Sequence, residues 1–135
     1  MKENKLTGKC YCGGIKYQVT AEFKSQCFCH CRSCQLACGS PYAAWGTLER
    51  TLFEITHGSL KEINTSAGVN RGFCEHCGTS LTYRHYKRPD EVDICLATLD
   101  EPRLVRPEYH IWVSDKLPWV SIDDGLQQYP EWRTG

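Results

Sequence analysis

Ten of the 135 residues are cysteine, and all but Cys95 fall in three short bursts: Cys10–Cys12, Cys27–Cys38 and Cys74–Cys77. At roughly 7% the count sits just under the ~8–10% of short disulfide scaffolds. The meaning of such clusters depends on the redox compartment. The opening stretch Met1–Lys9 carries charges where a secretory leader needs an apolar run of ~7–15 residues, and nothing approaches the ~18 apolar residues of a membrane span. The expected compartment is therefore the cytosol. Thiols are held reduced there, so bunched cysteines read as metal ligands or reactive groups rather than disulfides.

The bursts follow two different logics. Cys10-x-Cys12-Gly-Gly and Cys74-x-x-Cys77-Gly are two close pairs, each followed by glycine. Pairs at that spacing can place both sulfurs on one ion at ~2.3 Å, and the glycine lets the backbone curl so that amides point at the sulfurs. Four thiolates complete a tetrahedral zinc, so Cys10, Cys12, Cys74 and Cys77 are expected to form a closed, structural site that staples the N-terminal region to a point past mid-chain. In the middle burst, Cys27-Phe-Cys29-His-Cys31-Arg-Ser-Cys34, the residues Cys29, Cys31 and Cys34 offer three thiolates from one knuckle. Three ligands with one open position is the arrangement of a catalytic zinc, and a thiol substrate entering there would be captured as thiolate. Cys27, Cys38 and His30 are each close enough in sequence to fill that position instead. A redox dithiol at Cys31 and Cys34 lacks the alternating strands and helices of thioredoxin-like proteins.

The rest of the chain reads as short strands. Ile15, Tyr17 and Val19 alternate with Lys16 and Gln18, as a half-buried strand requires. Further candidates are Tyr42–Thr47, Leu52–His57, Leu60–Asn64, Val69–Phe73, Ser80–Arg84, Val92–Leu99 and Tyr109–Val113, separated by Gly, Pro, Asn and Asp. Helical turns are expected only at Cys31–Cys38 and Gly125–Tyr129. The pattern predicts a mainly β, antiparallel domain, and the length suits one domain over residues 1–135. Sixteen basic against sixteen acidic residues leave no net charge, which argues against nucleic acid or an anionic membrane as partner.

Four motifs in order carry a further message: Cys10-Tyr-Cys12-Gly-Gly-Ile-Lys-Tyr, Cys29-His-Cys31-Arg-Ser-Cys34, Arg71-Gly-Phe-Cys74-Glu-His-Cys77-Gly-Thr-Ser-Leu and His110-Ile-Trp-Val-Ser-Asp-Lys-Leu-Pro-Trp119. Together, from about Gly8 to Asp124, they resemble the glutathione-dependent formaldehyde-activating enzyme family, which also includes centromere protein V. The resemblance implies an antiparallel β-tent fold with zinc knuckles and two zinc ions. One is structural, at Cys10, Cys12, Cys74 and Cys77; the other is catalytic, at Cys29, Cys31 and Cys34. It also implies carbon–sulfur lyase chemistry, the reversible condensation of glutathione with formaldehyde. Cys38 departs from the pattern, standing where a small hydroxyl residue is expected before Gly39.

Such a reaction must deliver a proton to a new hemithioacetal oxygen. His30, His76, His85 and His110 are candidates by residue type; His30 is nearest the knuckle, but a side chain between two ligands often points away from the metal, so His30 is expected chiefly to pack there. Glutathione's two carboxylates call for basic residues at the approach, drawn from Arg32, Arg71, Arg84, Lys87 and Arg88, with Arg32 and Arg71 put first. Tyr42, Trp45, Trp112 and Trp119 could wall the groove, although Trp112 in its strand pattern suits the core better, since small β domains rely on aromatic burial. The competing class is a zinc-stapled protein-interaction module without catalysis, and the fourth position at Cys29, Cys31 and Cys34 separates the two.

Overall fold

The computed structural model describes residues 4–133. The first three residues of the charged N-terminal stretch and the last two of the expected 1–135 domain lie outside them. Eleven strands and one α-helix follow in order: β1 (Lys5–Lys9), β2 (Lys16–Thr20), β3 (Ser25–Cys29), α1 (Arg32–Cys38), β4 (Ala43–Glu49), β5 (Phe53–His57), β6 (Lys61–Ser66), β7 (Val69–Phe73), β8 (Ser80–His85), β9 (Glu91–Cys95), β10 (Tyr109–Ile111) and β11 (Gln127–Gln128). No helix is long and apolar enough to cross a membrane among the described residues.

The strands form a three-stranded sheet, β1-β2-β5, and an eight-stranded sheet, β11-β10-β3-β4-β9-β8-β7-β6. Pairing is antiparallel except at one edge, where β10 runs parallel to both β3 and β11. The purely antiparallel expectation is corrected there. After β9 the chain takes two 3₁₀ turns, Leu96–Thr98 and Pro102–Leu104, and re-enters the sheet in the direction of β3; a connection of that length permits the parallel pairing that a tight hairpin forbids.

Side-chain alternation gives the long sheet two unlike faces. Leu48 on β4 and Val92 and Ile94 on β9 point to the face covered by the small sheet, where they meet Ile15, Tyr17 and Val19 in the larger core. Trp45 on β4, Cys27 and Cys29 on β3 and Ile111 on β10 point to the opposite face and form a second, smaller cluster with Cys34. Gly46 sits on the first face because any side chain would strike Leu96 and Phe23 there.

Most expected strands appear within two residues of their predicted ends, with Val92–Leu99 shortened because a 3₁₀ turn takes over at Leu96. β1 and β3 were not anticipated. Gly125–Tyr129 is not helical: Gln127–Gln128 instead pairs with β10. The expected turn at Cys31–Cys38 is α1, with Cys31 as its N-cap and Gly39, at φ 59°, closing it in the left-handed conformation.

Gly58, at the end of β5, also has a positive φ of 79°, and a Cβ there would run into the carbonyl oxygen of Gly14. That contact seats the small sheet against the Cys10–Ile15 turn. Gly58→Ala therefore meets both backbone strain and a clash with main chain that cannot step aside. We expect a loss of about 2–3 kcal/mol, measured as a lower urea midpoint with unchanged slope.

Candidate metal centres and cavity

The first cysteine set converges as its spacing suggested. The sulfurs of Cys10, Cys12, Cys74 and Cys77 all lie within 4.8 Å of one another, with Cys10 to Cys12 at 3.6 Å and Cys12 to Cys74 at 3.8 Å. Sulfurs ~2.3 Å from one tetrahedral ion stand about 3.8 Å apart, whereas a disulfide needs about 2.05 Å. The donor set thus fits zinc. Backbone amides of Gly14 and Ile15 donate to Cys12 and Cys10 at 3.4 and 3.3 Å, and Gly13 and Gly78 take the positive φ of 76° and 81° that the two tight turns demand. The hydroxyl and amide of Thr79, with the amide of Cys12, pull the Cys77 thiol down to about 5. Its thiolate is favoured before any ion arrives.

Cys29, Cys31 and Cys34 form the second group, again within 4.8 Å. The end of β3 supplies Cys29, while Cys31 caps α1 by accepting the Cys34 amide at 3.3 Å, and Cys34 approaches Cys29 to 3.6 Å. Cys34 is held far below the ordinary thiol range by hydrogen bonds from Cys29 and Cys31, with smaller help from Trp45 and Arg71. None of the three residues that might have closed this shell belongs to the group. Cys38 turns to the hydroxyl of Ser80 at 3.7 Å. Burial raises the Cys27 thiol to about 12, keeping it protonated.

His30 faces away. Its ring is fully buried behind the knuckle, with Nε2 2.8 Å from His110 Nδ1, and His110 Nε2 lies 2.8 Å from the Asp124 carboxylate. If Asp124 accepts from His110 and His110 accepts from His30, the unpartnered His30 Nδ1 is a bare acceptor, cheaper to bury than a donor. Burial, then the neighbouring His110, lowers the His30 pKa to about 4. His30 braces the ligand loop from behind, supported by its tilted ring contact with Tyr42 at 4.8 Å.

The three sulfurs line a cavity of about 670 Å³ on the open face of the long sheet. Of the expected residues, Arg32, Arg71, Lys87, Arg88, His85, Trp45 and Trp112 line it. Arg84 does not: its guanidinium Nε and Nη2 both donate to the Glu62 carboxylate at 2.7 Å. His76 stands exposed on the first knuckle; Tyr42 packs on Phe28 behind the sheet, and Trp119 is 71% exposed away from the cavity. Trp112 is half-buried and packs against the smaller core cluster while also lining the cavity; its backbone takes φ 56°, rare for a bulky residue, at the point where the chain leaves β10. Tyr83, Asp93, Tyr109 and Trp132 also line the cavity. Alternation along β8, β9 and β10 would have placed Tyr83, Asp93 and Tyr109 on one face, but only the pairing of those strands shows which face is hollow, and Trp132 arrives from the segment after β11.

With this geometry in hand, comparison with known proteins is decisive on one point. The sequence pattern of the glutathione-dependent formaldehyde-activating enzymes matches residues 5–115. The chain belongs to that family. An uncharacterized lyase of Schizosaccharomyces pombe is 29% identical over 84 residues, covering 61% of this chain and 61% of that protein. A crystal structure of a Rhodobacter sphaeroides protein shares the fold, with a TM-score of 0.59 at 18% identity over 92% of this chain and 99% of that one. Both knuckles fall inside the matched span, whereas the segment that brings Asp124 and Trp132 to the site follows it.

The Leu126 amide, then His110, depresses the Asp124 carboxyl below its usual value of 3.8. A depressed carboxyl contributes stability that is present above the unfolded value and lost as pH falls through 3.8 toward the lower folded value. Asp124→Asn, which still offers His110 an oxygen, should flatten this acid limb while changing little at pH 7. Urea midpoints from pH 7 to pH 3 check it; parallel curves for both proteins would show that Asp124 does not brace the histidine pair.

Proposed function

We propose that this protein is a zinc-dependent enzyme of the carbon–sulfur lyase type, binding a thiol such as glutathione and adding it reversibly to formaldehyde or another small electrophile. The observation that carries this reading is the three-sulfur group at the wall of a 670 Å³ cavity, with no fourth ligand grouped with it among the described residues. A lyase-named relative and the family itself point the same way. Cys10, Cys12, Cys74 and Cys77 would hold a structural zinc, and Cys29, Cys31 and Cys34 a second, whose positive charge would favour the deprotonated, nucleophilic form of an incoming sulfur near neutral pH.

The chain's own groups do the rest. The thiolate sulfur bonds to the aldehyde carbon, the carbonyl electron pair moves to oxygen, and that oxygen must gain a proton. Of the four histidines named from sequence, His85 alone lines the cavity. Its Nδ1 accepts the Lys87 amide at 3.1 Å, so the neutral ring carries its proton on Nε2. We assign proton transfer to His85. Trp45 and Trp112 line the cavity and would help hold the two reactants together, so that positioning supplies much of the rate gain. The natural partners are then a small thiol and an aldehyde, in one cytoplasmic domain, with no role for nucleic acid.

The two zinc sites should differ in leverage on folding. Cys12 and Cys74 are 62 residues apart, Cys29 and Cys34 only five. Closing loops of those lengths differs by about 2 kcal/mol. Cys74→Ser should accordingly unfold much of the protein, and Cys31→Ser should lower the melting temperature less. Thermal melts with zinc analysis decide it, and an equal or larger loss in Cys31→Ser would reverse the two assignments.

Thiol capture itself is tested with glutathione against S-methylglutathione, which keeps every carboxylate but has no ionisable sulfur. Glutathione should bind at least tenfold more tightly and release a proton, counted by calorimetry in two buffers of different ionisation enthalpy. Similar affinities, or no proton release below the thiol pKa, would end the thiolate mechanism and favour the interaction-module reading.

A further inference from the structure

The basic residues around the cavity are not equivalent. Arg88 is committed to Glu91 and Asp93 at 2.9 and 3.0 Å. Arg32 is exposed and bonds Gln35 at 2.9 Å. Lys87 stands at the exposed rim beside the Tyr86 ring. Arg71 differs from all of them: it is only 6% exposed, and no carboxylate pairs with it among the described residues. One nitrogen, Nη2, faces the Cys34 sulfur at 3.9 Å, and the guanidinium carbon lies 4.9 Å from the centre of the Tyr83 ring. The other, Nη1, has no hydrogen-bond partner.

Its position is not adjustable. Arg71 lies opposite Tyr83 in the β7–β8 register, and the neighbouring Gly72 faces Leu60 and Thr82 on the other side of the sheet, so the side chain is directed to the cavity face. The carboxylates nearby are occupied. Asp93 accepts from Thr47 and Arg88, and Asp115 accepts the amide of Arg32 at 3.1 Å. A guanidinium offers five donors in a rigid fork, of which the sulfur and the ring account for one edge and one face. A buried donor without a partner in a native fold calls for one.

We propose that Arg71 anchors a carboxylate carried by the thiol ligand, so that the cavity selects acidic thiols over neutral ones of the same size. The assignment rests on the thiol-capture reading for its ligand class. With Nη2 3.9 Å from Cys34, and a charge-assisted N–H···O bond adding about 2.7–2.9 Å, an acid held by this guanidinium falls within the span of a small molecule whose sulfur joins the cysteine group.

The test uses zinc-loaded wild type, Arg71→Gln and Arg71→Lys, with 3-mercaptopropionate, its neutral amide, and the thiol-free acid butanoate. Wild type should hold the acid about tenfold or more tightly over the amide, the range set by a hydrogen bond to a charged group. Arg71→Gln should bring that ratio near one with amide binding unchanged, and Arg71→Lys, which keeps the charge but not the fork, should fall between. An unchanged ratio in Arg71→Gln overturns the anchor, as does an equal weakening of both thiols, which would mean that Arg71 serves only the charge of the sulfur group. Circular dichroism and zinc content verify that the variants are folded; should Arg71→Gln fail, Arg71→Lys carries the comparison. If neither thiol binds wild type, thiol capture has failed and butanoate decides the anchor alone. Tryptophan fluorescence perturbed in wild type but not in the variants supports it, and no response in wild type refutes it.

Discussion

Everything else in this fold is arranged around one local crowding of sulfur. Cys10 and Cys12, in the turn that joins β1 to β2, meet Cys74 and Cys77, in the turn that joins β7 to β8, with all four sulfurs within 4.8 Å. The first turn belongs to the small sheet and the second to the large one, so this contact ties the two sheets at their seam. Cys10 and Cys74 are nearly inaccessible to solvent and continue directly into the larger core. A cation bound among them would offset the repulsion of four thiolates at this spacing. The seam is thus where a candidate metal site and core packing meet.

The long sheet then separates two tasks by parity. Residues on one face complete the larger core, and their alternate neighbours build the cavity, so β4 delivers Leu48 to packing and Trp45 to the site. The same rule applies to β10, where Ile111 faces the cysteine cluster while His110 faces the opposite way and joins His30 and Asp124. The three-cysteine loop, braced from behind by a buried polar chain, is held in one geometry, as chemistry at a bound metal would require.

Much of this was legible beforehand because the signals are local. The four-sulfur and three-sulfur sets follow from spacings of one to three residues, and the strands flanking them follow from alternation over five. The missed elements fail for the same reason. In β3, Ser25–Cys29, the pattern was absorbed by cysteines that read as ligands, and in β1, Lys5–Lys9, three polar or charged positions mask a strand whose partner is β2. The short β11 has no pattern of its own and exists only because β10 offers it an edge.

The sequence by itself determined the two cysteine groupings, the predominance of β structure and the family, because each depends on residue types at short separations. The tertiary structure alone decided which of several chemically equivalent side chains reach the site. His30, nearest the knuckle in sequence and expected chiefly to pack there, is indeed turned away, while His85, 51 positions after Cys34, lines the cavity. Arg84 and Arg88 find carboxylates, and Arg71 does not. Whether a charge is free depends on partners brought together by strand pairing across the chain, and no local pattern encodes that.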